Sequence, residues 1–362
     1  MNRKVKFTSI GTMSGTSFDG VDAAIIRTDG KDYVKYIDST FVPYKKKIRE
    51  LFNISILKNY KILTKAINSS HINAINFLLN KNNLKISDID VIGLHGQTFA
   101  HKPEESWSWQ YINVEKFIKT FKTNIITDFR LNDINCGGNG APLVPIYHST
   151  FVRKTYNKYN MAIINIGGVC NATIIKDDGT FIGFDIGPGN GPIDKIVFDK
   201  LNLDFDPNGN ISKEGTPNLA ISDNIINAIQ QLSSKRSYDR AVLDKICIKN
   251  TIDLGIKDAL ATIVNCIADL IYKKINCFNL KKIILVGGGR KNFTLKDYLN
   301  KKFDGKVISA EEAGWDGDSL EAQAFAYLAV RSLNGLSFTY PHTTGVKSPI
   351  SGGVLHSYGK HN

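Results

Sequence analysis

The sequence predicts an α/β protein of two similar halves, each an open mixed sheet, with a cleft between them. Three observations carry this expectation. Each half opens on a β-hairpin with glycine and a hydroxyl or amide residue at its tip: "KVKFTSIGTMSGTSFDGVDAAIIRT" and "MAIINIGGVCNATIIKDDGTFIGFDIGPGN". Behind each hairpin, apolar strands alternate with stretches of helical periodicity. The 362 residues suit two domains, or one large one, with ample length for a core.

In the first half, "KVKFTSIG" reads as a strand beginning near Val5, followed by a Gly/Ser/Thr/Asp turn and the strand "VDAAIIRT". "PYKKKIRELFNISI" reads as a helix that Pro43 opens, because its ring presets φ. "KAINSSHINAINFLLNKNNL" places Ile72, Ile75 and Leu79 on one helical face. A buried strand, "DVIGL", runs into "HGQTFAH"; an aromatic turn, "SWSWQ", a helix, "NVEKFIKTF", and a strand, "TNIITDF", follow. The glycine-rich run "NCGGNGAPLVP" near residue 135 is the expected domain crossing, giving domains 1–134 and 135–341, with the tail from about 342 to 362 a candidate to rejoin the first. The second half reads as three strands joined by Gly-Gly and Asp-Gly turns. Helices follow, among them "IKDALATIVNCIADLIYKKI" with Leu260, Val264, Ile267 and Ile271 on one face. The strand "KIILVGGG" and the helix "SLEAQAFAYLAVRSL" close the pattern.

Composition narrows the function classes. A hydrophobic fraction of 42% and a charged fraction of 22% are those of an ordinary globular protein. There is no charged leader with an apolar h-region and no apolar run of ~18 residues, so neither a signal peptide nor a membrane span is expected. The five cysteines, Cys136, Cys170, Cys247, Cys266 and Cys277, never form C-x-x-C, which argues for buried thiols in a reducing cytoplasm rather than disulfides or zinc. The net charge of +12 is carried by dispersed lysines without a nucleic-acid module, so a solvated surface is expected and no nucleic-acid partner. A positive field also suits an anionic small substrate.

Three glycine clusters could carry chemistry. "MSGTSFDG" lacks both the Walker and the Rossmann pattern. It offers the N–H groups of Gly15 and Gly20 and the hydroxyls of Ser14, Thr16 and Ser17, which suits a plain turn or an anion nest equally. In "FDIGPGNGPIDKI", Gly187, Gly189 and Gly191 bracket Pro188 and Asn190, and Pro192 stands where a helix would start and attract an anion. Asp185 just before this loop is either a turn cap or the carboxylate that a phosphate-transfer enzyme needs to activate its nucleophile. In "VGGGRKN", Gly287, Gly288 and Gly289 would let a backbone approach a flat ligand such as adenine, or simply turn the chain.

In order, "GTMSGTSFDGVDA", "LHGQT", "TDFRLNDINCGGNGAPLVPIYH", "NIGGVCNATI", "GFDIGPGN", "VGGGRKN" and "GWDGDSLEAQAFAYLA" resemble the signature segments of anhydro-N-acetylmuramic acid kinases, across essentially the whole chain. The resemblance implies the two-domain actin-like, hexokinase-type (ribonuclease H-like) fold, with an ATP cleft between the domains. It implies that water opens 1,6-anhydro-N-acetylmuramic acid while the released 6-oxygen takes the γ-phosphate of ATP, in cell-wall recycling. It further implies ATP and Mg2+ as cofactors, a cytoplasmic homodimer and no membrane partner.

By the same resemblance Ser14, Gly15, Thr16, Ser17, Asp19 and Gly20 belong to the ATP-phosphate loop. Gly167, Gly168, Asn171, Gly187, Gly189, Asn190, Gly287, Gly288 and Gly289 complete the nucleotide set. Asp185 matches the general base for the water, and Arg130 and Glu321 match positions facing the sugar, where an arginine would suit the lactyl carboxylate. His95 of "HGQT" is either a sugar contact or a structural histidine at a strand end. Two positions depart from pattern. Met13 stands where many actin-like sugar kinases carry Asp, as it does in this subfamily, which leaves the magnesium ligands unassigned. Gly191 and Pro192 stand where family members usually carry bulkier residues. The competing readings are an actin-like kinase for another amino sugar or hexose and, outside enzymes, a sugar-sensing repressor or chaperone. The last two would require modules for which the sequence leaves no room.

Overall fold

The computed structural model describes residues 6–102, 105–156, 160–232 and 237–359. The chain runs β1 (Phe7–Ser14), β2 (Gly20–Thr28), β3 (Val34–Pro43), α1 (Lys46–Ile54), α2 (Tyr60–Lys81), β4 (Val91–Lys102), β5 (Trp107–Tyr111), α3 (Val114–Phe121), β6 (Asn124–Thr127), α4 (Leu131–Asn135) and α5 (Pro145–Thr155). It continues through β7 (Met161–Ile166), β8 (Val169–Ile175), β9 (Phe181–Pro188), α6 (Gly191–Leu201), α7 (Asn210–Lys213), α8 (Leu219–Gln231), α9 (Arg240–Thr251) and α10 (Ile256–Ile275). The remainder is β10 (Lys282–Val286), α11 (Phe293–Lys302), β11 (Val307–Ser309), α12 (Leu320–Leu333) and β12 (Val354–His356).

Two sheets form, ordered β12-β6-β4-β1-β2-β3, with β5 on β4, and β11-β10-β7-β8-β9. In both, three antiparallel strands (β1–β3, β7–β9) lie beside two parallel ones (β4 and β6, β10 and β11). This repeated order is the actin-like α/β architecture expected from the sequence. The expected start near Val5 lies outside the described residues.

Several local expectations give way to pairing. β3 was not foreseen; half-exposed on the sheet's edge, it carries Phe41 outward at 45% exposure. Pro43 ends that strand rather than opening a helix, and α1 starts at Lys46 without a side-chain cap. "SWSWQ" is strand rather than turn, because its period-two aromatics pair antiparallel with β4. On α2, Ile75 and Leu79 are buried while Ile72 is only partly so.

The chain divides into two compact units, 1–155 with 319–362, and 156–318, rather than at 134/135 and 341/342. The glycine-rich run is no crossing, because it is tied inside the first unit. The Asp133 carboxylate accepts the Gly140 N–H at 2.6 Å, and the Asn139 N–H reaches the Thr344 carbonyl at 2.9 Å. The return to that unit comes at Ser319, because α12 lies directly on β1 and β4. A Cβ on Gly11 would stand 2.1 Å from the Ala322 carbonyl oxygen, and one on Gly93 2.4 Å from that of Phe325. The glycines let the helix backbone touch the sheet.

The first core packs Leu63, Ile67, Ile75 and Leu78 of α2 with Ile10, Ile25 and Ile92. The second surrounds α10, whose Leu260, Val264, Ile267 and Ile271 are all buried as expected. Cys170, Cys247 and Cys266 are buried, but Cys136 and Cys277 are exposed, against expectation, because both lie just past helix ends. Among the described residues no helix is long and apolar enough to cross a membrane.

Candidate active site

The loop between β1 and β2 is braced from beneath. Ser14, 1% exposed, has its Oγ 2.7 Å from the Gly20 carbonyl, 2.5 Å from Gln97 Oε1 and 3.0 Å from the Tyr44 hydroxyl. Two of these partners only accept, and Ser14 has a single proton. Tyr44 therefore donates, to Ser14 or to Gln97 Oε1 at 3.1 Å. The Ser14 hydroxyl thus stitches the hairpin together and is not presented to a phosphate as expected. Burial and the Asp19 charge push the Tyr44 hydroxyl well above its ordinary pKa, so it remains a donor.

Gln97 is the residue that sequence reasoning missed. Fully buried, it donates through Nε2 to the Gly15 carbonyl at 2.5 Å and the Thr98 carbonyl at 3.2 Å. Its signal was visible, an amide inside an apolar strand in "HGQT". At the tip, the exposed Asp19 carboxylate accepts the Ser17 hydroxyl at 2.6 Å and the Gly20 N–H at 2.9 Å. Gly20 is therefore engaged within the loop. Thr16 is half-buried, and Phe18 takes φ +54° with its ring stacked on Phe52 at 4.5 Å.

The first unit also brings His95 and Arg130 together. His95 Nε2 accepts from Arg130 Nε at 3.1 Å and Nη2 at 2.9 Å, while Arg130 Nη1 donates to the Gly140 carbonyl at 2.6 Å. A guanidinium only donates, so Nε2 is unprotonated and Nδ1–H donates to the Gly96 carbonyl at 3.0 Å. Burial and then the Arg130 charge hold His95 well below the usual imidazole pKa. It is a neutral acceptor that orients the arginine. Asp133 accepts the N–H of the same residue, Gly140, and accepts from Thr344 Oγ1. Glu321 is half-buried in the first turn of α12, where the helix dipole favours a carboxylate.

All the remaining predicted residues sit in the second unit. Asp185, 8% exposed near the end of β9, faces Asn171 across the ladder, and its Oδ2 accepts the Tyr238 N–H at 2.9 Å. Helix α6 begins at Gly191 and Pro192 as expected, but the N–H groups that lead into it are bonded within the protein. The Gly189 and Gly191 N–H groups go to the Gly168 carbonyl at 3.1 and 3.3 Å, and that of Asn190 to the Gly167 carbonyl at 2.7 Å. Pro192 has none. Gly187 serves packing, since a Cβ there would stand 3.0 Å from Leu270 Cδ1.

In the third cluster, Gly287 (φ +72°) and Gly289 press against β7, with Cβ positions 2.3 Å from Asn165 Oδ1 and 2.2 Å from Ile166 Cγ2. Those two glycines are required by the protein's own packing, whereas Gly288 is exposed, and a Cβ there would stand 3.3 Å from Asn190 Nδ2. A second missed residue, Arg290, holds this loop. Buried, it bonds the Gly287 carbonyl at 2.9 Å and pairs with Glu311 at 2.7 Å and Asp318 at 2.9 Å. Among the described residues no group of three or more His, Cys, Asp or Glu could hold a metal ion. Mg2+ needs no such cage where it arrives on nucleotide phosphates with one or two carboxylates.

The family description "Anhydro-N-acetylmuramic acid kinase" matches residues 7–358. Similar curated proteins include the anhydro-N-acetylmuramic acid kinases of Zymomonas mobilis, 35% identical over 96% of this chain and 99% of the relative, and of Rhizobium etli, 36% identical over 96% and 98%. Among solved structures, the activator of the 2-hydroxyisocaproyl-CoA dehydratase from Clostridium difficile with bound ADPNP has a TM-score of 0.48 at 14% identity, covering 90% of this chain and 96% of that one.

Proposed function

The chain belongs to the anhydro-N-acetylmuramic acid kinase family, and from that membership we propose that it opens the 1,6-anhydro ring of 1,6-anhydro-N-acetylmuramic acid and phosphorylates the freed 6-oxygen from ATP. The observation that carries the chemistry is Asp185, a nearly buried carboxylate near a strand end, bonded to the Tyr238 N–H and set among the glycine turns of the second unit. In this reading Asp185 takes a proton from water as the water oxygen bonds to the anomeric carbon. The bond from that carbon to the 6-oxygen breaks with its electrons on oxygen. The 6-oxygen attacks the γ-phosphorus, and the bridging P–O bond breaks toward ADP. The products are N-acetylmuramic acid 6-phosphate and ADP.

The Ser14–Gly20 loop grips ATP through its tip, Thr16, Ser17, Asp19 and their backbone, while Ser14 keeps the loop's shape. Gly167, Gly168, Asn171, Asn190 and exposed Gly288 line the nucleotide in the second unit. Arg130 receives the lactyl carboxylate, and His95 acts through Arg130 rather than on the sugar. Glu321 binds sugar hydroxyls. Mg2+ would be held by the ATP phosphates with Asp19 or Asp185 nearby, and it would neutralise phosphate charge. We place the protein in the cytoplasm as a homodimer.

An ADP-release assay with anhydro-N-acetylmuramic acid, N-acetylmuramic acid and N-acetylglucosamine tests the substrate. Turnover is expected with the anhydro sugar alone. Oxygen-18 water is expected to label the anomeric oxygen; turnover without label, or with an intact amino sugar only, overturns the reading.

A further inference from the structure

Resting on the kinase reading, we propose that Arg240 is the cation that meets the nucleotide's terminal phosphates at the Gly167–Gly168 and Gly189–Gly191 turns, with Asp244 as its positioning residue.

Charge needs a donor there, and the backbone of the Gly189–Gly191 turn does not supply it. The N–H groups of Gly189, Asn190 and Gly191 are all committed to the carbonyls of Gly167 and Gly168, and Pro192 has none. The phosphoryl group in transfer carries negative charge on its equatorial oxygens, which enzymes meet with a cationic side chain or metal. Arg240 lies on both turns. A Cβ at Gly168 would stand 3.0, 3.1 and 3.3 Å from its Cδ, Nε and Cζ, and one at Gly191 2.9 Å from its Nε. The glycines that read as a phosphate cradle are, in the structure, the floor under a guanidinium.

Asp244, one helical turn on, accepts from Arg240 Nε at 3.3 Å and fixes the plane of the fork. Its other oxygen is buried without a hydrogen-bond partner among the described residues, 2.5 Å from the Cβ position of Gly191. The same segment reaches the proposed base, since the N–H of Tyr238 is bonded to Asp185.

Two local rules are broken here, and structures break such rules at working sites. Arg240 is a cation at the first position of α9, the end of a helix that disfavours positive charge. Asp244 is a carboxylate that burial pushes up to about 6 even with Arg240 alongside. Arg240 lowers that value and burial outweighs it, so the pair does not repay its own desolvation. The planar, bidentate fork of arginine matches phosphoryl oxygens where lysine would give only a point charge.

The test begins with the intact wild-type protein, in the ADP-release assay and in calorimetric titration with ADP and the β,γ-imido analogue of ATP in the presence of Mg2+. Arg240→Gln is expected to lower kcat by at least about 100-fold and to weaken the ATP analogue more than ADP, with the sugar KM within about threefold. Arg240→Lys recovers part of the loss. Asp244→Asn loses about tenfold through misorientation of the fork, and Arg240→Gln combined with Asp244→Asn stays as slow as Arg240→Gln alone. The proposal is overturned if Arg240→Gln keeps kcat and analogue affinity within threefold. It is also overturned if the double variant regains what the single variant lost, which is the mark of a structural ion pair. Should Arg240→Gln fail to fold, the same comparison is made on Arg240→Lys, where unchanged kcat and analogue affinity overturn it. If the wild type binds the analogue but shows no turnover with the anhydro sugar, the substrate reading fails. Weakened analogue binding in Arg240→Gln then still supports the phosphate role, and unweakened binding overturns it.

Discussion

The two glycine-rich turns that open the halves of this chain look alike in sequence and are held in opposite ways. The Ser14–Gly20 turn is supported by side chains from distant segments, Gln97 and Tyr44, which leave its tip exposed. The turns around Gly167 and Gly189 are laced to each other through backbone bonds and roofed by a guanidinium. Glycine alone therefore says little about which backbone donors a ligand can reach. One turn presents its tip, and the other presents the groups assembled over it.

If the chemistry belongs to the second turn and grip to the first, Asp185→Asn is expected to lower kcat by ~10²–10⁴ while leaving affinity for an ATP analogue intact. Turnover close to wild type would break the comparison at its strongest point. Gln97→Ala attacks the first turn from below. It strands the buried groups of Ser14, Tyr44 and Gly15, and it is expected to cost about 2–3 kcal/mol in denaturant unfolding and to raise the KM for ATP without a matching loss of kcat.

Acid separates the units next. His71, His101 and His148 are held at about 3, and His95 well below its ordinary value, chiefly by burial, and all four lie in the first unit. These groups are neutral when folded but bind protons when unfolded. They withdraw stability as pH falls below about 6.5, by up to about 1.4 kcal/mol per pH unit for each. Asp244 in the second unit has the opposite sign. Raised to about 6, it binds its proton more tightly when folded, so its unfavourable effect fades as pH falls from about 6 to 4. Hydrogen exchange between pH 7 and 4.5, corrected for intrinsic rates, should show the first unit loosening before the second; the reverse order removes the histidines as the cause.

The smallest contrast is between two glycines. Gly15→Ala meets nothing nearer than Met13 Cε at 3.6 Å and should change stability by less than about 0.5 kcal/mol. Gly191→Ala meets Asp244, Gly168 and Arg240 within 2.9 Å and should cost about 1–3 kcal/mol, read from denaturant midpoints.

The sequence by itself determined the elements whose burial is periodic or continuous. The α10 stripe of Leu260, Val264, Ile267 and Ile271, the two hairpins and the apolar strands β4 and β10 were all legible, because local pattern encodes which face meets a core. It also marked Asp185, Arg130 and the glycine clusters as a set. Only the tertiary structure decided what those residues touch. β3 and β5 exist because partner strands pair with them. The glycine-rich run near residue 135 stays in the first unit because Thr344, remote in sequence, binds both it and Asp133, which grips Gly140. Ser14 is a brace and His95 an orienting acceptor because of Gln97 and Arg130. Arg240 and Asp244 gave no sequence signal beyond an i, i+4 pair of opposite charge. Hydrogen-bond partners and the burial of single charges are long-range properties, set by which chain segments fill the space around a group, and no local window contains them.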